Sequence, residues 1–237
     1  MQGGKTRRLI SINNYDGHTE YITMRNNKLT VIILIFTLAT YHCNGQEYEL
    51  TEKTATGIFD IKEKSKSELF TLIDKWVSIN YNSAKNVIQM HDKESGTIII
   101  KGINEVVYKN TSKSIYPNNK YIQDYVTTKF NHLIQIDIKD NRYRIIYRIT
   151  DIASEDVGFN SIIFKCISLD GTNEVSIAEY NNLITEYLKK GLVGEKKRTE
   201  ILSLTKPMFE EINANLLNDI KTTMKSIEKS VLSKDDW

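Results

Sequence analysis

Cysteine is scarce in this chain. The 237 residues hold two, Cys43 and Cys166, too few for a disulfide framework, so stability has to come from a packed core. Two prolines and eleven glycines exclude proline-rich and collagen-like architectures. Histidine is nearly absent beyond residue 45, where only His91 and His132 remain, without a His-x-x-x-His pair or a cysteine cluster; no metal site is expected. There is no Gly-x-Ser-x-Gly, and neither histidine stands where it would mark a base for a serine or for Cys166. Gly191 and Gly194 are followed by Glu195, Lys196, Lys197 and Arg198, which is the wrong spacing and ending for a phosphate loop. No internal repeat and no cofactor motif is present.

No apolar run reaches the roughly 20 residues of a membrane-spanning helix. The run LTVIILIFTLAT over 29–40 is shorter, follows Met24, Arg25 and Lys28, and ends at Cys43, Asn44, Gly45 and Gln46. That is the layout of a secretory signal over 24–45, with small residues at 43 and 45 placing cleavage between Gly45 and Gln46. Residues 1–23 read as an extension upstream of the true start, Met24. An alternative is lipid attachment at Cys43, against which stand the large Tyr41 and His42. The expectation is export to the periplasm or cell envelope. Removing residues 1–45 takes five of the 32 basic and two of the 30 acidic residues, leaving 27 against 28. The basic balance belongs to the leader, so no nucleic-acid partner is expected.

What is present is a clear α+β pattern over 46–237, read as a single domain. Ser65 and Glu68 stand at capping-box spacing and open a helix over 65–80, whose Leu69, Leu72, Ile73 and Trp76 share one stripe. NVIQMHD and TIIIKGI come next, joined by a short polar loop ending in Gly96, which suits a strand hairpin. A second hairpin is readable almost residue by residue. With a two-residue turn at Asp140 and Asn141, Ile138 falls opposite Tyr143, Ile136 opposite Ile145, Ile134 opposite Tyr147 and His132 opposite Ile149. The other face pairs Asp137 with Arg144 and Gln135 with Ile146.

These features in this order carry a resemblance. A strand ending near Ile61, the Ser-x-x-Glu helix with Trp76, VIQMHDKESGTIIIKG and IDIKDNRYRIIYRITDI are similar to a bacterial exported domain family of unknown function described as having a TBP-like fold. The likeness runs over about 48–152, and its most specific pieces are the 92–102 hairpin and the 139–144 turn. Asn141 stands where the family usually has glycine; asparagine also accepts the left-handed conformation. The resemblance implies a β-α-β-β-β-β-α topology, helices on one face of an antiparallel sheet, and no known activity.

Beyond Ile152 the apolar run SIIFKCISL reads as a strand over 160–169 with Cys166 as a small buried hydrophobe, followed by a helix over 176–190. A last helix starts near Thr205 and repeats Phe209, Ile212, Leu216, Ile220, Met224, Ile227 and Val231, a stripe expected on the same sheet face as Trp76. Glycines 191 and 194 resemble a KH-type clamp, but a helix C-cap and a solvated charge run account for them more simply. The expected function is a non-catalytic envelope binding or accessory module for an unknown envelope protein or polymer. Its candidate surface lies on the open sheet face at Gln135, Arg144, Ile146 and Arg148. The alternative is a hydrolase of an envelope polymer or peptide with its site in the irregular 105–130 stretch, where Tyr116, Tyr121 and Tyr125 would line a groove.

Overall fold

The computed structural model describes residues 47–81, 83–153 and 157–233. The proposed leader, with Cys43, Gly45 and Gln46, lies outside the described residues. Six strands, β1 (Tyr48–Leu50), β2 (Thr54–Asp60), β3 (Ile88–Asp92), β4 (Thr97–Lys109), β5 (Tyr125–Lys139) and β6 (Arg142–Ile152), form one antiparallel sheet in the order β1-β2-β6-β5-β4-β3. The helices are α1 (Lys66–Asn80), α2 (Ala84–Val87), α3 (Thr111–Ile115), α4 (Val157–Cys166), α5 (Glu174–Lys190), α6 (Glu195–Ser203) and α7 (Thr205–Leu232). Among the described residues no helix is long and apolar enough to cross a membrane.

Local sequence explains the two best-defined corners. Ser65 caps α1 reciprocally: its amide donates to Glu68 Oε2 at 2.8 Å and its Oγ accepts from the Glu68 amide at 3.3 Å. The β5–β6 turn then locks onto that helix start, because Asp140 Oδ1 accepts from the Lys66 amide at 2.7 Å and the Asn141 amide donates to the Lys64 carbonyl at 2.9 Å. Asn141 takes the left-handed φ of 62° that the tight turn needs. The register of that hairpin is the one read from the alternation, from Ile138 opposite Tyr143 to His132 opposite Ile149. Gly96 closes the other hairpin at φ 80°, where a Cβ would stand 2.5 Å from the Ile138 carbonyl oxygen.

One apolar core covers one sheet face. It joins Leu69, Ile73 and Trp76 of α1, Ile134 and Ile136 of β5, Tyr143, Ile145 and Tyr147 of β6, and Phe209 through Val231 of α7. Full burial stabilises by roughly 1.5–3 kcal/mol per large apolar side chain, so the seven apolar residues of the α7 stripe are the largest single contribution of any helix. At about 1.5 Å per residue, the 28 residues of α7 extend about 42 Å. The helix crosses the sheet diagonally. Glu211 meets the Lys109 amide on β4, whereas Lys221 lies 5.6 Å from the centre of the Tyr48 ring on β1.

Two expectations are corrected. The run expected as a strand over 160–169 forms α4, with Cys166 Sγ donating to the Ile162 carbonyl one turn back at 3.5 Å; only the buried 167–169 tail lies outside the helix. A continuous apolar run fits a buried helix as well as a buried strand, and here packing decides for the helix. The strand expected from Asn86 starts at Ile88, after the single turn of α2. The solvated charge run after Gly194 forms α6, a helix with no buried residue and hence no apolar signal.

Gly191 ends α5 at φ −79°, and the left-handed position falls instead on Leu192, φ 57° and 93% exposed. A non-glycine side chain there is strained and unsupported by packing. Leu192→Gly should therefore raise stability by about 0.5–1 kcal/mol in urea unfolding. A lower midpoint would show that Leu192 makes contacts the structure does not contain.

Candidate functional site

Strand alternation places Gly102 of β4, His132 of β5 and Tyr147 of β6 on the covered face. Gly102 pairs with His132, and the imidazole lies over the glycine so closely that a Cβ there would be 2.6 Å from His132 Nε2. On its other side the ring rests against Tyr147, centroids 4.7 Å apart and planes at 34°. The β5–β6 register shifts between Asn131 and His132, a bulge of the kind that re-aims a side chain. Asn104, next inward on β4, accepts from the Tyr147 hydroxyl with Oδ1 and donates from Nδ2 to Asp219 of α7 at 3.4 Å.

Above these residues the C-terminal end of α1 and the middle of α7 leave a cavity of about 330 Å³, lined among others by Trp76, Tyr81, Asn104, His132, Tyr147 and Ser226. Trp76 Nε1 donates to Ser226 Oγ at 3.0 Å, tying the two helices together at the cavity wall. A broader cleft of about 850 Å³ shares Asn80, Tyr81, Ile103 and His132 with it and continues past Lys101 and Gly102.

His132 is 5% exposed, and neither ring nitrogen has a hydrogen-bond partner. Burial pushes its pKa down to about 4, so the ring is neutral at pH 7. Burial likewise pushes the Tyr81 phenol up to about 12 and raises that of Tyr147. The smaller cavity is therefore lined by uncharged side chains, with Asp219 reached only through Asn104. Such a site offers one imidazole donor and one acceptor beside hydroxyls and amides. Among the described residues no group of three or more His, Cys, Asp or Glu is placed to hold a metal ion.

The residues expected from sequence lie on the opposite, open face. Gln135 pairs with Ile146 and Asp137 with Arg144, bringing three of the four together, with Arg148 two residues further along β6. Asp137 takes up much of that charge: Arg144 Nη2 donates to Oδ2 at 2.6 Å and Gln135 Nε2 to Oδ1 at 3.0 Å. Partial burial pushes the Asp137 carboxyl up, but the bonds from Gln135 and Arg144 outweigh it and hold the group below its ordinary value. Of the three tyrosines expected in one groove, Tyr116 lines a hollow of about 210 Å³ with Tyr180 and Tyr187, while Tyr121 and Tyr125 do not line it. Cys166 is fully buried, and burial pushes its thiol up to about 11.

Residues 56–153, running from within β2 to the end of β6, match the family model described as a domain of unknown function (DUF4468) with TBP-like fold. The chain contains a DUF4468 domain. Its α+β architecture is the TBP-like one, and Gly102, Asn104, His132 and Tyr147 all fall inside it. Asp219 and Ser226 lie beyond the matched residues, so the cavity is closed by the DUF4468 domain together with the C-terminal helix α7. Two solved structures are similar at 13% identity. One is a TBP-like protein from Parabacteroides distasonis, with TM-score 0.44, covering 77% of this chain and 94% of that one. The other is a DUF4468 family protein from Bacteroides ovatus, with TM-score 0.47, covering 84% and 97%. No curated protein matches the chain.

The pKa of His132 makes a stability prediction. A free histidine near 6.5 takes up its proton on acidification before the buried one near 4 does, so the unfolded state binds more protons and stability falls between those values. Relative to His132→Phe, which keeps a ring over Gly102, the native chain should lose on the order of 3 kcal/mol between pH 6.5 and 4. Parallel stability curves for the two proteins would contradict a buried neutral imidazole.

Proposed function

We propose that the chain is a non-catalytic binding module of the cell envelope that holds an uncharged polar group of its ligand over His132. The leader-like sequence motivates the location. One observation carries the binding: an uncharged, walled cavity with the buried imidazole of His132, both nitrogens unpaired, in its wall. Each buried group left without a partner costs about 1–3 kcal/mol, and a ligand group that a small turn of the ring brings within reach of one nitrogen recovers part of that. Uncharged walls favour amides and hydroxyls over ions, because an ion would leave water without a counter-charge.

A hydrolase draws less support, since a catalytic imidazole is oriented by a partner on its second nitrogen and His132 has none. The open face at Gln135, Arg144, Ile146 and Arg148 is a second, weaker surface because Asp137 already answers Arg144.

The test is ring ¹⁵N NMR of His132 during titration with acetamide and ethanol, against acetate and methylammonium. The neutral pair should shift the His132 signals together with the backbone amides of Asn104 and Tyr147, and those amide shifts should vanish in His132→Phe. Acetate acting as strongly as acetamide, or silence from all four, would defeat the proposal.

A further inference from the structure

The cavity opens at a strand edge, and that edge is bare. β3 covers β4 only as far as Ile100. At the other end α7 takes over: the Lys109 amide donates to Glu211 Oε2 at 3.3 Å, and Asn215 Nδ2 donates to the Val107 carbonyl at 2.9 Å. Odd-numbered residues of β4 therefore turn their N–H and C=O away from β5. The pairing of β4 with β5 is unbroken from Thr97 to Lys109, so the same holds at Lys101, Ile103 and Glu105. Among the described residues no strand, helix or side chain meets the main chain of Ile103 or Glu105.

We infer that this edge binds a short extended peptide, which adds a strand to β4 and directs alternate side chains into the His132 cavity. The inference rests on the binding role proposed above and names the ligand class. Unpaired main-chain donors and acceptors in strand geometry are satisfied by another extended main chain. A second copy of this chain does not fit. Antiparallel pairing of two β4 strands about Ile103 would set residues 107–109 of one copy against 97–99 of the other, where β3 already lies. Only about five residues, roughly 17 Å at 3.4 Å each, are available between β3 and the α7 side chains.

The flanking side chains specify the peptide. Lys101, Ile103 and Glu105 point to the open face, all exposed, with Ile103 at 57%. Glu105 also bridges Lys129 at 2.8 Å, an exposed pair too weak to hold it. Cross-strand complementarity asks for a basic residue opposite Glu105, an apolar one opposite Ile103 and an acidic one opposite Lys101. The two intervening residues lie beside Asn104 and Gly102, at the mouth of the uncharged cavity, and should be polar and neutral. Read in the antiparallel direction, this is basic, neutral, apolar, neutral, acidic.

The full chain is titrated with the capped pentapeptide Lys-Gln-Val-Gln-Glu and followed by amide and His132 ring NMR. Shifts should centre on Ile103, Glu105 and His132. Ile103→Pro removes an edge donor without breaking a ladder bond, as proline is tolerated on such edges, and should weaken binding about tenfold with the thermal midpoint little changed. Should that variant fold poorly, the double change Lys101→Glu, Glu105→Lys decides: it should prefer the charge-reversed peptide Glu-Gln-Val-Gln-Lys. Absent binding, indifference to charge reversal, or an Ile103-dependent dimer of the chain would overturn the peptide assignment. Acetamide shifts at His132 without peptide shifts at the edge would sink this inference and leave the cavity reading standing. Full peptide affinity in His132→Phe would do the reverse.

Discussion

The burial of the α7 stripe against the sheet is the interaction on which the rest of this structure depends. Phe209, Ile212, Leu216, Ile220, Met224, Ile227 and Val231 recur at helical spacing and are all but removed from water. A straight helix carrying that stripe across strands from β4 toward β1 cannot also track the edge of β4. It seals the edge at Val107 and Lys109 through Asn215 and Glu211, then leaves it.

The site is the space this diagonal leaves behind. Where α7 has moved inward and α1 has ended at Asn80, the sheet is roofed only by the side chains around Trp76 and Ser226. Gly102 lowers the floor by one Cβ, and His132 fills the space with a ring whose nitrogens find nothing to bond. A folded chain tolerates such an arrangement because the surrounding core is large. The same helix path thus produces both the neutral cavity and the bare main chain beside it.

Much of the architecture was legible because its signals are local. The β5–β6 register is set by a two-residue turn and strict alternation, and the one-sided burial of α1 and α7 by their stripes. The elements that escaped lack such a signal. β1 is three residues long, α6 buries nothing, and α4 has an apolar run that suits either structure. Cys166 was legible as a buried small hydrophobe. The site was only half visible: alternation placed His132 on the inward face, but Gly102 was read only as a strand residue, and nothing near either of them announces Asp219 or Ser226, which arrive from more than eighty residues away. The charged face at Gln135, Arg144, Ile146 and Arg148 was visible from alternation alone, whereas its neutralisation by Asp137 depends on side-chain geometry.

Amide hydrogen exchange along β4 tests the account most directly, because it reads the edge without any ligand. Gly102, Asn104 and Val106, bonded into β5, should exchange slowly, Ile103 and Glu105 should exchange at rates close to those of an open chain, and Lys109 should fall between them under Glu211. Equal protection at Ile103 and Gly102 would mean that the edge is already covered and would contradict the account.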